Sequence, residues 1–115
     1  MKRMLLLCNC QGTCPSFQKM DVFEVVNALR REGVVDAAAI HPQLCAEDGD
    51  TFLRAFLQGS DIEVLAVAAC DPVMQKKMYR DAFEASGFDR SRHRGVDIRN
   101  MTTQEAVEAV KRLVE

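Results

Sequence analysis

The chain has 115 residues, a formal net charge of −2, no Trp and one Tyr. That length suits one domain with a core that needs no disulfide staples. The slightly acidic balance and lack of stacking aromatics argue against a nucleic-acid partner, and no apolar run nears the ~20 residues of a bilayer span.

Five cysteines are many for a reducing compartment, and the number is odd. Disulfide scaffolds are small, loop-rich and evenly paired, whereas regular strand and helix patterns run through this chain. Met1-Lys2-Arg3 ahead of Met4–Leu7 imitates a secretory leader, but Asn9-Cys10-Gln11 interrupts the short apolar stretch. The reading is a mature cytoplasmic protein, one domain over residues 1–115, with metal or redox chemistry at its thiols.

Met4–Cys8 is a continuous apolar run, the mark of a strand covered on both faces. A loop over Asn9–Met20 carries Cys10, Gly12 and Cys14. Asp21-Val22-Phe23-Glu24 reads as a capping box, opening a helix with Val22, Val25, Val26 and Leu29 on one face. Arg30, Arg31 and Gly33 suit its end. Val34–Ile40 is the second strand, and His41-Pro42 ejects the chain so that Cys45 falls in the loop beyond. Asp48 or Asp50 caps a helix carrying Phe52, Leu53, Phe56 and Leu57, and Gly59 ends it.

Glu63–Ala69 is the third strand, with Cys70 at its end, and Asp71-Pro72 starts a third helix. Met74, Met78, Ala82 and Phe83 are expected inward on that helix, the methionines as core filling. Gly95–Arg99 is a short fourth strand; Thr102 and Glu105 box a last helix with Val107, Val110, Leu113 and Val114 inward. Strand and helix alternate through four rounds. This predicts a Rossmann/flavodoxin-like three-layer α/β domain with a four-stranded parallel sheet of order 2-1-3-4.

Parallel strands send every following loop to one edge. Cys8 and Cys10 follow the first strand, Cys45 the second and Cys70 the third. In this order the three strands are neighbours, ~4.8 Å apart, so their loops can surround a small inorganic core at the switch point of the sheet. Helix starts near Cys14 and behind Cys70 add N–H groups and positive dipole ends that favour thiolates. Four thiolates suit zinc or an iron–sulfur cluster. Cys8-Asn9-Cys10 is too tight for an ordinary zinc knuckle and the domain has ample core, so iron–sulfur is preferred.

Each residue also has a plainer explanation. Cys8 and Cys70 alone would pass as small core residues; Gly12, which would let the backbone approach the cofactor closely or take a positive φ, would pass as an ordinary turn glycine. Cys14 is the surplus thiol at the cofactor site: a spare, an alternative ligand replacing Cys8 or Cys10, or a reactive group. His41 is expected to bond nearby backbone. His93, in Arg90-Ser91-Arg92-His93-Arg94, reads as part of a solvated basic loop; with Lys76, Lys77 and Arg80 that run would make a docking face for an acidic partner.

Leu5-Leu6-Leu7-Cys8-Asn9-Cys10-Gln11-Gly12, then Leu44-Cys45, then Val67-Ala68-Ala69-Cys70-Asp71-Pro72, resemble the N-terminal iron–sulfur domain of heterodisulfide reductase (in its flavin-bearing chain) and related proteins. Phe83-Glu84-Ala85-Ser86-Gly87-Phe88 and Val96-Asp97-Ile98-Arg99-Asn100 extend the likeness over nearly the whole chain. The resemblance implies a [4Fe–4S] cluster on Cys8, Cys10, Cys45 and Cys70, passing electrons to flavoprotein or ferredoxin-type partners. The glycine that normally follows the second cysteine stands here at Gly12, behind Gln11. The flavin-binding domain and ferredoxin motifs of the family's full-length chains are absent from these residues, so an electron carrier or small redox subunit is expected, without the family's flavin. Two other readings stand beside it. One is a thiol redox enzyme or sensor cycling Cys10 and Cys14. The other is a structural zinc module. A flavodoxin-like nucleotide binder ranks last, because the first loop lacks the phosphate-cradling glycine pattern.

Overall fold

Four short runs form one sheet in which every pairing is parallel: β1 (Arg3–Cys8), β2 (Ala37–His41), β3 (Val64–Ala69) and β4 (His93–Asp97). Their order is β2-β1-β3-β4, as the alternation predicts. The structure is a computed structural model and describes residues 2–115; Met1, in the leader-like start, lies outside them. β1 and β3 hold the centre. Helices cover both of their faces, which is why neither alternates with polar residues.

α1 (Val22–Arg31) and α4 (Thr103–Val114) cover one face; α2 (Glu47–Leu57) and α3 (Pro72–Ser86) cover the other. The pleat of β1 divides its side chains between them. Leu5 and Leu7 join Val25, Leu29, Val107 and Val110, while Met4 and Leu6 join Leu53, Leu57, Tyr79 and Phe83. Leu5, Leu6 and Leu7 are fully buried, each worth roughly 1.5–3 kcal/mol of burial. No helix among the described residues is long and apolar enough to cross a membrane.

Several boundaries differ from the sequence reading, for local reasons. β2 starts late because Val34 and Val35 donate their N–H groups to Leu29 O and complete the exit from α1. Asp36 then ties this corner to β1, its carboxylate accepting from the N–H groups of Lys2 and Arg3. Neither Asp48 nor Asp50 caps α2: Ala46 holds that position without a side-chain bond, and both acids lie in the first turn. Asp21 caps α1 as expected, but Glu24 pairs with Arg31 instead of reaching back. The capping box of Thr102 and Glu105 is complete.

The largest correction concerns α3. Met74 and Met78 are 46% and 44% exposed, and Gln75 and Tyr79 point inward with Ala82 and Phe83. The helix phase follows partners rather than apolarity. Gln75 Nε2 donates to Cys70 O at 2.9 Å, and Gln75 Oε1 faces His93 Nε2 at 3.0 Å. Gly95 leaves the room, since a Cβ there would overlap the Gln75 amide. A buried polar side chain with its bonds made is tolerated, and here it fixes the rotation of the helix. His93 is corrected with it: it opens β4 and is buried, not solvated.

This packing can be tested at two positions. Gly49 lies in the first turn of α2 against the carbonyls of Gln43 and Leu44, where a Cβ would overlap both. Gly49→Ala is therefore expected to destabilise by about 1–3 kcal/mol in urea denaturation, although alanine is the better helix former. A neutral or stabilising result would contradict this packing.

Burial, with the charge of Lys76 second, pushes His93 from its ordinary 6.5 down to about 4. The unfolded chain then binds a proton that the folded chain refuses. The stability this contributes is complete above about pH 6.5, falls as pH drops, and is gone below about pH 4, on the order of 3 kcal/mol in all. His93→Gln should show a smaller loss between pH 7 and 4.5 by denaturant titration. Equal losses would remove His93 as the cause.

Candidate metal centre

All five cysteines lie at or beyond the carboxyl ends of strands, on one rim. Cys8 ends β1 opposite His41, and Leu7 pairs with Ala68, so Cys70 just past β3 lies at a similar level. Cys45 follows β2 by four residues and is exposed, while Cys10 and Cys14 occupy the loop after β1.

Cys8 is the buried member. Its Sγ accepts the N–H of Leu44 at 3.4 Å, which ties β1 to the loop bearing Cys45. Burial pushes its pKa up; the N–H groups of Leu44 and Cys10 oppose that shift, and the charges of Cys45 and Cys70 add to it. Cys45 and Cys70, which follow two different strands, therefore both act electrostatically on Cys8 at the end of β1. Cys10 feels Cys8 and Cys45 as well, though its own shift comes first from burial and then from Cys14.

The loop between Cys8 and Cys14 is strained. Cys10, Gln11 and Gly12 have φ of 50°, 64° and 77° in succession. For the two residues that are not glycine this costs on the order of 1–3 kcal/mol each, strain that surrounding structure must hold in place. It is held by bonds to the 41–43 segment: Asn9 N to His41 O, Gln11 N to Pro42 O, and Gln11 Nε2 to Gln43 Oε1 at 2.8 Å. Gly12 has room for a side chain, so its role is the positive φ. His41 makes its expected backbone bond, Nδ1 accepting from Gln43 N.

Cys10 and Cys14 lie close enough for each to shift the other. Cys14 is held below its ordinary value first by the Ser16 N–H and then by the Ser16 hydroxyl, with smaller help from Cys10 and Arg99. Arg99, locked onto Asp97, is a cation on this rim, and the charge of Cys70 acts on it. The start of α3 adds its dipole: Asp71 caps it through Val73 N at 2.8 Å, directly after Cys70.

Tyr79 is the site residue the sequence reading missed. It is buried under the rim, and its phenol is pushed upward by burial first and then by Cys8, Cys70 and Cys45. The signal for it was helix phase: with Gln75 inward, Tyr79 four residues later must face the same way.

Among the described residues, no three His, Cys, Asp or Glu side chains are gathered tightly enough to hold a metal ion as they stand. Tetrahedral zinc with Zn–S near 2.3 Å requires sulfurs about 3.8 Å apart. In a cluster each thiolate meets a different iron, so its ligands stand wider. The N–H on Cys8 and the positive groups near Cys14 and Cys70 favour negative charge at this all-thiol rim. No protein-family model matches the chain, and no curated protein matches it. The functional reading therefore rests on this site.

The thiols should differ in reactivity. In reduced, metal-free protein, iodoacetamide is expected to modify Cys14 well before Cys8, as read by peptide mass spectrometry against time, because Cys14 is favoured as thiolate and accessible while Cys8 is neither. Equal rates would contradict the described environments.

Proposed function

We propose that this domain binds one [4Fe–4S] cluster through Cys8, Cys10, Cys45 and Cys70 and serves as an electron carrier or small redox subunit in the cytoplasm, like the heterodisulfide reductase domain it resembles. The observation that carries the reading is that Cys45 and Cys70, far apart in sequence, lie on the rim where β1 ends and both act electrostatically on Cys8. Cys10 joins them on a loop held in an unfavourable backbone conformation.

When bound, the cluster supplies a one-electron couple. The chain's own residues set its surroundings. The Leu44 N–H stabilises negative charge on the Cys8 sulfur. The α3 dipole and Arg99 do the same near Cys70. Tyr79 and the buried strand ends keep water from beneath the site. Such groups tune a redox potential without bond chemistry on a substrate. The partners are redox proteins of flavoprotein or ferredoxin type, which exchange electrons across the exposed side at Cys45.

A second reading has one observation in its favour. The contact between Cys10 and Cys14 suits a dithiol that cycles to a disulfide.

Anaerobic reconstitution separates the two. The cluster reading expects about four iron and four sulfide per chain, with an EPR signal on reduction. Cys8→Ser, Cys45→Ser and Cys70→Ser should each lose most of the iron, and Cys14→Ser should keep it. Bound zinc without iron, or iron unaffected by Cys45→Ser and Cys70→Ser, would defeat the proposal.

A further inference from the structure

A second candidate site lies away from the thiols. α3 and the β4 edge enclose a cleft of about 330 Å³ lined by Lys76, Arg80, Phe83, Arg90, Ser91 and His93. His93 pairs with Leu65 at the amino-terminal end of β3, so the cleft reaches the end of the sheet opposite the cysteines. We propose that this cleft binds a small organic anion: one phosphate, sulfonate or carboxylate group on a flat apolar body.

Two separate features select that chemistry. The first is the floor. Phe83 and His93 are both buried, with ring centroids 5.4 Å apart and planes inclined at 57°. Tyr79 backs both rings, at 6.2 Å from Phe83 and 5.9 Å from His93. A flat ligand meets aromatic surface there, and the volume is at the small end of ligand pockets, suited to a single ring. Gln75 fixes the histidine. Its Nε2 donates to Cys70 O, leaving Oε1 as the acceptor for His93 Nε2–H. The proton is thus on Nε2, which leaves Nδ1 as the acceptor of the ring.

The second feature is the rim. Lys76, Arg80 and Arg90 line the cleft, and no carboxylate among the described residues does. In a chain of net charge −2 this is a local concentration of positive charge. It is poorly neutralised. Arg80 has only its neighbour Asp81 among the described residues, at 3.8 Å between exposed side chains. Neither Lys76 nor Arg90 has an ion pair among the described residues. Asp89 is turned to its own loop, accepting from Ser91 N and Ser91 Oγ and lying 3.9 Å from Arg92. Two guanidinium groups and an ammonium above an aromatic floor suit a headgroup able to take paired hydrogen bonds. An uncharged aromatic would leave the rim unused, and a bare anion would leave the floor uncovered.

The test titrates ¹⁵N-labelled protein with phenyl phosphate and, in parallel, inorganic phosphate and phenol. The proposal expects saturable shifts centred on Phe83, Arg90, His93 and Gly95. It expects phenyl phosphate to bind about tenfold or more tighter than either single-feature probe. The Arg80→Gln/Arg90→Gln double variant, altered only at surface side chains, should weaken phenyl phosphate about tenfold, roughly the worth of one charge-assisted hydrogen bond. Its spectrum away from the cleft should be unchanged. Inorganic phosphate binding as well as phenyl phosphate would mean an adventitious ion only and would overturn the proposal. So would shifts centred elsewhere, or a double variant with full affinity. These outcomes are independent of iron content, so failure here and failure of the cluster reading are told apart.

Discussion

The parallel pairing of β1 with β3 is the constraint on which the rest depends. Once these two buried runs lie side by side in the same direction, the residues after both must emerge at one rim. Pairing β2 on the other side of β1 brings a third loop there. Right-handed crossovers then put α1 and α4 on one face and α2 and α3 on the other, and both faces of the central strands are closed. Cys8, Cys45 and Cys70 fall on the same rim because the sheet has one polarity. No interaction between the thiols themselves is needed to place them there.

The rim is built against its own electrostatics. Burial disfavours a thiolate at Cys8, and neighbouring thiolates disfavour it further. Three consecutive residues at positive φ are held there by bonds to the neighbouring loop. Asn9 Oδ1 is buried without a hydrogen-bond partner among the described residues, in the same turn. The compensating groups are the Leu44 N–H, the start of α3 and Arg99, and all of them favour negative charge at the rim.

Gln75 links the two ends of the molecule. It is almost fully buried, yet each half of its amide has a partner: Cys70 O on the thiol side and His93 on the other. Gly95 exists at its position because the amide occupies the space a side chain would take. One polar residue thus sets the rotation of α3. That rotation carries Tyr79 beneath the thiols and Phe83 beneath the cationic cleft, and turns Met74 and Met78 to the surface.

The sequence by itself determined the alternation of elements, the strand order and the rim where the cysteines gather. These follow from local signals: unbroken apolar runs at Leu5–Leu7 and Leu65–Ala69, the capping residues Asp21, Asp71 and Thr102, and the stop at Gly87. The phase of α3 was not legible, because two methionines outweigh a glutamine when apolarity alone is counted. Only the tertiary structure supplied the glutamine's partners, one before its helix and one eighteen residues after it. The burial of His93 and the role of Tyr79 were hidden for the same reason. Capping and periodicity are interactions between near neighbours along the chain, whereas the satisfaction of a buried polar group depends on segments that meet only after the sheet has formed.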